Sequence, residues 1–233
     1  MVDPLRPSLA REPATGTSPS SAPHEGEAGL CALRPINIAP GVVLWRDYFS
    51  RDAQKALLDD VFLRVADAPF YRPVMPGNGK PFSVEQTNFG PLGWVSDKSG
   101  YRYQTTHPVT GKPWPAIPPT LLELWDAIAA APPPQCCLVN RYSQGARMGL
   151  HQDRDEIADP PVVSVSLGDA ALFRIGGTKR GGRTQSVKLL SGDVLMFGGE
   201  ARLAFHGVDR ILPGTSTLVP GGGRINLTLR RVN

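Results

Sequence analysis

Cysteine is scarce in this sequence, with three residues among 233, and two of them, Cys136 and Cys137, are adjacent. Neighbouring residues on a strand face opposite ways. The odd count argues against the disulfide framework of a small secreted protein. The thiols therefore indicate a reducing compartment, and we expect a cytoplasmic location.

Long apolar runs are also missing. No stretch is long enough to span a bilayer, and the N-terminus has no apolar segment typical of a secretory signal, so we expect no membrane partner. The net charge is only +4, which permits a polyanionic partner without requiring one. The 233 residues, 41% of them hydrophobic, suffice to bury a core in one large domain or two small ones.

Large apolar residues are rare in residues 1–33, which are rich in Pro, Ser, Ala and Gly. This composition predicts a disordered tail. Residues 41–49 read as a short strand. Residues 69–119 hold many Pro and Gly residues around two extended pieces, 82–90 and 100–104.

Two helices are predicted. The first spans residues 50–68, with Ser50 as its N-cap. Its apolar face has helical spacing: Ala53, Ala56, Leu57, Val61 and Val65. The second spans residues 120–131, where Thr120 and Glu123 have the spacing of a capping box and the run APPP ends the helix.

The sequence after residue 135 alternates short β-rich runs with turns. The runs are CCLVNRY, PVVSVSLG, ALFRIG, TQSVKLL, DVLMFGG and RINLTLRRV. Repeated short strands separated by turns predict a sandwich or closed barrel of antiparallel sheet.

Only four histidines are present. His24 lies in the tail, and we expect His107, which precedes Pro108, in a surface turn. His151, Asp153 and Asp155 would form one polar row on an extended chain, since residues two apart share a face. Such a row suits a solvated strand end, a salt-bridge cluster, or two metal ligands with a helper.

His206 lies 53 residues beyond Asp153, so a returning strand can bring it beside the pair. Two histidines and one carboxylate on one face are the ligand set of non-haem Fe(II) oxygenases. By itself His-x-Asp is a weak motif.

The run RINLTLRR places four polar side chains on one strand face and three apolar ones on the other. The polar four are Arg224, Asn226, Thr228 and Arg230. This face is either exposed to water or forms an anion site for a dicarboxylate, which a guanidinium binds with two hydrogen bonds. Asn140 and Tyr142 alternate in the same way and offer further donors.

These segments together resemble the AlkB family of Fe(II)- and 2-oxoglutarate-dependent dioxygenases, specifically the bacterial repair enzymes. The matching segments run in order over roughly residues 40–231: TNFGPLGWVSDKSGYRY, KPWPAIP, CLVNRYSQGARMGLHQDRDE, PVVSVSLG, FRIGGTKR, GDVLMFGGEARLAFHGV and RINLTLR.

The resemblance implies an α+β fold that is mainly β. Its core would be a double-stranded β-helix, or jelly roll, with flanking helices and an N-terminal nucleotide-recognition lid. The implied division is a tail (1–33), an extension that carries the lid (34–134) and the dioxygenase core (135–233).

The resemblance also implies the cofactors and their ligands. His151, Asp153 and His206 would bind Fe(II), with 2-oxoglutarate and O₂ as co-substrates. Arg230 would pair with the distal carboxylate of 2-oxoglutarate, helped by Tyr142. The end near the metal would be held by Arg224, Asn140 and Asn226.

The implied reaction is oxidative demethylation of N1-methyladenine and N3-methylcytosine in DNA, with release of succinate and formaldehyde. Trp94 and His151 would sandwich the damaged base, and Asp155 would face its amino edge. Further substrate contacts are implied for Tyr101, Tyr103 and Arg180. Lys179, Arg183 and Lys188 would bind phosphates.

The same residues also allow alternatives. Trp94 also suits a core position, the two tyrosines suit cross-strand packing, and the basic run TKRGGR suits a solvated turn. We expect a monomer acting on methylated DNA that is single-stranded or has a flipped base. The alternatives are the same chemistry on RNA, a metal enzyme without 2-oxoglutarate, and a nucleic-acid-binding β-barrel without catalysis.

Overall fold

The computed structural model of the chain describes residues 34–157 and 159–233. The predicted disordered tail, residues 1–33, lies outside them. Two α-helices are present, α1 (Arg51–Val65) and α2 (Pro119–Ile128). Neither is both long and apolar enough to cross a membrane.

Thirteen strands are present in the described residues. They are β1 (Ile36–Ala39), β2 (Val42–Trp45), β3 (Glu85–Phe89), β4 (Gly93–Asp97), β5 (Gly100–Gln104), β6 (Cys136–Tyr142), β7 (Met148–His151), β8 (Val162–Gly168), β9 (Ala170–Gly176), β10 (Thr184–Leu189), β11 (Val194–Phe197), β12 (His206–Leu212) and β13 (Arg224–Arg230).

The strands form two antiparallel sheets and a hairpin. The large sheet has the order β1-β2-β11-β8-β13-β6-β3, and the small sheet has the order β10-β9-β12-β7. One apolar cluster contains side chains from both sheets, including Leu44 and Leu195 from the large one and Phe173 and Val208 from the small one. This packing of two antiparallel sheets confirms the predicted mainly-β jelly-roll core.

The helices pack on the other face of the large sheet. Leu57 and Val61 of α1 and Trp125 of α2 share a cluster with Ile225 and Leu227 of β13. Every residue of β13 is buried, so the option of a solvent-exposed polar face is wrong. Its apolar face packs against the helices, and its polar face points towards the small sheet.

Helix α1 begins as predicted, because the Ser50 hydroxyl accepts a hydrogen bond from the Ala53 amide at 3.3 Å. The predicted apolar face is only partly correct. Leu57 and Val61 are buried, whereas Ala56 is exposed and Leu58 is buried instead.

The predicted capping box of α2 does not form. The helix starts at Pro119, its N-cap is Pro118, and no side chain caps it. Proline suits the first helical position because its fixed φ is helical and it has no N–H to satisfy. Thr120 therefore lies inside the helix, where it cannot act as the cap.

His107 is also placed differently from the prediction, because it is 1% exposed rather than on the surface. Its Nε2 is 2.8 Å from the Pro69 carbonyl, and its Nδ1 accepts from the Val109 and Thr110 amides at 3.0 and 3.2 Å. Carbonyl and amide partners on both ring nitrogens make it a buried turn-closing residue.

Strands β4 and β5 form a separate two-stranded hairpin in the predicted lid region. Gly93 at the start of β4 admits no side chain, since a Cβ there would lie 2.4 Å from the Trp114 ring and 2.8 Å from the Asn88 Cβ. This close approach fixes the hairpin against β3 and the Trp114 loop.

Candidate active site

The predicted metal ligands come together where two strands of the small sheet meet. His151 ends β7, His206 begins β12, and the two residues are direct cross-strand partners. Their ring centroids are 4.5 Å apart. Asp153 lies two residues beyond the end of β7, with its Oδ1 3.6 Å from His151 Nε2 and its Oδ2 3.7 Å from His206 Nε2.

Both imidazoles present the same nitrogen to the site. His151 Nδ1 lies 2.9 Å from the Gly149 carbonyl, and His206 Nδ1 lies 2.9 Å from the Ala204 carbonyl. A carbonyl only accepts, so each Nδ1 carries the hydrogen and each Nε2 keeps its lone pair. Metal-ligating histidines are typically oriented in this way.

The electrostatics favour an anionic Asp153 carboxylate and a neutral His206 imidazole. Burial alone would raise the pKa of Asp153, but Arg230, His206 and His151 outweigh it and lower this pKa to about 2. Burial lowers the pKa of His206 to about 4, against the opposing pull of Asp153. At neutral pH the cluster therefore offers one negative charge and a neutral His206.

The three residues fit a divalent cation. Their ligand atoms lie within 4.8 Å of one another. Asp153 Oδ2 is buried and has no hydrogen-bond partner in the described part of the chain. A carboxylate oxygen left in this state is costly unless a cation or donor meets it. Two histidines and a carboxylate leave further coordination positions open.

A cavity of about 410 Å³ extends from these ligands across the polar face of the large sheet. The strand register sets its lining, since Asn226 of β13 lies opposite Asn140 of β6 and Thr228 of β13 lies opposite Ser164 of β8. Arg224 lies opposite Tyr142, and its guanidinium carbon is 5.4 Å from the centre of that ring.

The two arginines of β13 have different surroundings. Arg224 donates to the Ser166 hydroxyl at 2.9 Å, while its Nε and Nη1 have no partner among residues 34–157 and 159–233. Arg230 donates through Nη2 to Asp153 Oδ1 at 2.8 Å. Arg230 is therefore at the metal end of the cavity, and Arg224 has unused donors away from it.

A buried ionic network lies behind Asp153. Glu156, whose side chain is fully buried, accepts from Arg202 Nη2 at 3.2 Å and from Arg230 Nη1 at 3.4 Å. Arg202 also donates to the Asp153 carbonyl at 2.7 Å. Sequence reasoning missed Glu156 and Arg202. The only signal in the sequence was their position, since Glu156 lies three residues after Asp153 and Arg202 lies four residues before His206.

Tyr103 belongs to this network. Its hydroxyl donates to Glu156 and lies 3.3 Å from Arg230 Nη1. Burial raises the pKa of Tyr103 far above its usual value, so the hydroxyl stays protonated. The residue was predicted as a substrate contact, but its ring is outside the lining of the cavity. It links the hairpin to the metal end instead.

The mouth of the cavity is aromatic and acidic. Trp94 stacks on Tyr101 with centroids 5.4 Å apart and planes 21° apart. Its Nε1 donates to Asp155 Oδ2 at 2.9 Å. Trp94 and Asp155 line the cavity together with His151 and Arg180. Trp94 is therefore not a residue of the hydrophobic core.

Comparison with known proteins places these features in a family. The family model for the 2OG-Fe(II) oxygenase superfamily matches residues 41–230. The chain is 57% identical over 203 residues to an alpha-ketoglutarate-dependent dioxygenase AlkB homolog of Caulobacter vibrioides, across 85% of this chain and 90% of that protein. The chain belongs to the AlkB family.

Two further relatives agree with AlkB membership. The alpha-ketoglutarate-dependent dioxygenase AlkB of Escherichia coli K12 is 42% identical over 200 residues, across 83% of this chain and 91% of that protein. The solved structure of OsALKBH1 matches with a TM-score of 0.70 and 34% identity, covering 85% of this chain and all of that one.

AlkB membership confirms the predicted enzyme class. The protein is an Fe(II)- and 2-oxoglutarate-dependent dioxygenase, with O₂ as the other co-substrate. The His151, Asp153 and His206 cluster is the group that would hold the iron.

Proposed function

We propose that this enzyme repairs alkylated DNA by oxidative demethylation of N1-methyladenine and N3-methylcytosine. The observation that carries the proposal is the Trp94 and Asp155 pair at the mouth of a cavity that ends at the metal ligands. 2-Oxoglutarate would be converted to succinate and CO₂, and the oxidised methyl group would leave as formaldehyde.

Charge explains why these lesions fit. Methylation at N1 of adenine or N3 of cytosine makes the base a flat cation. A cation is attracted to the face of a tryptophan, and the Asp155 carboxylate adds an opposite charge at its edge. The base must leave the helix to reach the cavity, which costs least when it is damaged or single-stranded.

For the co-substrate, we propose the reverse of the assignment made from sequence. Arg224 has two free donor atoms and lies beside Tyr142, so it suits the distal carboxylate of 2-oxoglutarate. Arg230 is hydrogen-bonded to Asp153, so it suits the end near the metal. Asn140 and Asn226 line the cavity between them.

The protein supplies position and electrostatics, and iron, 2-oxoglutarate and O₂ would together supply the oxidising chemistry. His151 and His206 would hold the metal through Nε2, and Arg230 holds the Asp153 carboxylate in place. The ring of Trp94 would press the base towards His151, which keeps the methyl group near the iron.

An RNA substrate is the second candidate, because a flipped base in either nucleic acid meets the same pocket and the 2′-hydroxyl decides between them elsewhere. A non-catalytic binding module is inconsistent with the enzyme class. A monomeric state and a cytoplasmic location remain predictions, and the buried free thiols Cys136 and Cys137 agree with a reducing compartment.

The test is an anaerobic titration with Fe(II) and 2-oxoglutarate that follows the visible charge-transfer band of the chelate, with His206→Ala as control. O₂ and single-stranded DNA bearing N1-methyladenine are then added. We expect a band that the variant lacks, and formaldehyde in proportion to repaired base. A band without formaldehyde from DNA, but with formaldehyde from methylated RNA, would replace the first candidate by the second.

The two arginines make a matched pair for the co-substrate assignment. Arg224→Met should raise the dissociation constant of 2-oxoglutarate at least tenfold and leave iron binding unchanged, because one charged hydrogen-bond partner is worth roughly 1.5–3 kcal/mol. Arg230→Met should also weaken iron binding, because Asp153 loses its anchor. Calorimetry with each ligand measures both effects. Equal iron loss in both variants would contradict the assignment.

A further inference from the structure

Gln86 of β3 contacts the proposed co-substrate site. It is 1% exposed, lines the cavity, and lies opposite Asn140 in the β3–β6 register. Its Nε2 donates to Asn140 Oδ1 at 2.8 Å. Asn226, Asn140 and Gln86 thus form one polar row across three neighbouring strands.

This hydrogen bond decides which end of the Asn140 amide faces the cavity. Because Gln86 occupies the carbonyl oxygen, the two N–H donors of Asn140 are the atoms left for a ligand. 2-Oxoglutarate offers only acceptors, namely two carboxylates and a keto oxygen. An Asn140 amide turned the other way would present a carbonyl oxygen to an anion, which is repulsive.

The structure also explains why the pair does not turn around together. In the present arrangement Gln86 leaves one carbonyl oxygen, Oε1, buried without a partner among the described residues. The reversed arrangement would bury two N–H donors of Gln86 instead. Orphaned buried N–H groups are the rarer defect, so the observed orientation is favoured.

Gln86 is itself held firmly. Its backbone exchanges two hydrogen bonds with Tyr71, at 2.8 and 2.9 Å. Its strand is paired with β6 along five residues. The Gln86 amide therefore has a fixed origin from which to orient Asn140.

We propose that Gln86 is a positioning residue for 2-oxoglutarate, which fixes the Asn140 amide with its N–H donors towards the co-substrate. The inference rests on the proposed placement of 2-oxoglutarate beside Asn140. It does not depend on which nucleic acid is the substrate.

The test is a double-mutant cycle on co-substrate binding, measured by calorimetry with the Mn(II)-loaded protein and 2-oxoglutarate. Gln86→Leu should weaken binding roughly fivefold, as expected for one hydrogen bond. Asn140→Leu should weaken it at least as much. The double variant should be no weaker than Asn140→Leu alone, since Gln86 acts only through Asn140.

Two further variants separate positioning from stability. Thr87 lies next to Gln86 in β3, and Thr87→Val removes the 2.8 Å hydrogen bond from its hydroxyl to the Ala68 carbonyl. It should lower the unfolding midpoint without changing 2-oxoglutarate binding. Gln86→Glu keeps the size but can only accept, so it should turn the Asn140 amide and weaken binding more than Gln86→Leu does.

Additive losses from Gln86→Leu and Asn140→Leu would overturn the role of Gln86 but not the placement of 2-oxoglutarate. Unchanged binding in both Gln86→Leu and Gln86→Glu would do the same. Unchanged binding in Asn140→Leu would overturn the placement of 2-oxoglutarate and the inference with it. DNA repair activity is not used, so failure of the proposed substrate leaves the result readable.

Discussion

Asp153 uses its two oxygen atoms for different purposes. Oδ1 accepts a hydrogen bond from Arg230, and Oδ2 is left without a partner in the described chain. The first contact fixes the carboxylate plane, and the second atom is left for the metal. A ligand held in this way loses little freedom when the ion binds, which favours tight binding.

The metal-free protein should lose stability as the pH falls. The pKa of His206 is lowered to about 4, below its ordinary 6.5, so between these values the unfolded chain holds a proton that the folded one lacks. Stability therefore falls by about 3 kcal/mol from pH 6.5 to 4. The pKa of Asp153, about 2, predicts a further loss from about pH 4 to 2.

Urea unfolding of the metal-free protein at pH 7 and pH 4.5 measures the first loss. His206→Gln should remove most of the difference, because its side chain cannot take up the proton. An equal difference in both proteins would mean that His206 is not the responsible group.

Asp155 should select charged lesions. Asp155→Asn keeps an oxygen for the Trp94 N–H but loses the charge, so kcat/KM for N1-methyladenine should fall roughly three- to tenfold. The neutral lesion N3-methylthymine, in the same DNA sequence, is the control and should be affected less. Equal losses on both lesions would show that Asp155 acts by shape rather than by charge.

The limits of sequence reasoning are visible at single residues. The metal ligands were predicted because rare histidines and the family pattern coincide. Glu156 and Arg202 were not, because a buried ion pair leaves no periodicity in the sequence. The assignment of the two arginines depended on strand register and on the direction of long side chains, which spacing does not fix.

At the level of elements, the strands with continuous or alternating apolar residues were predicted well, such as β6, β8 and β13. Strands β7 and β12 were harder to predict, because their sequences, MGLH and HGVDRIL, contain glycine or charged residues. They form a pair with each other, which the sequence of either strand alone does not indicate. Local signals also mislead where two compete, as Pro119 does with Thr120 at the start of α2.

The Ser50 cap of α1 should contribute measurably to folding. Ser50→Ala leaves the first-turn amide of Ala53 without its acceptor, so the free energy of unfolding should fall by about 1 kcal/mol. Urea unfolding measures it. Ser50→Asp is the control and should retain the stability, whereas equal losses in both variants would place the effect elsewhere.

The whole molecule has a small net charge of +4, but three basic residues are grouped on one turn. Lys179 and Arg183 are exposed on the β9–β10 turn, next to Arg180 at the cavity. A local basic turn of this kind attracts phosphates, while the small net charge limits non-specific binding of nucleic acid over the rest of the surface.

Salt should reveal how many phosphates this turn binds. Removing two contacts with Lys179→Gln and Arg183→Gln should lower the slope of log affinity against log salt by about 1.4 for single-stranded DNA. Fluorescence anisotropy titrations at salt concentrations between about 50 and 300 mM measure this slope. Lys55→Gln on α1 is the control, and an unchanged slope in the double variant would remove the turn from the interface.

The pairing of His151 with His206 has a consequence for handling the protein. Strand β7 is four residues long and lies at the open edge of the small sheet, beside β12. A metal ion bound by both His151, the last residue of β7, and His206, the first residue of β12, would hold β7 against β12 at that edge. Without it the edge can fray and offer its free backbone groups to another chain, so iron-depleted stocks should be the ones that aggregate on storage.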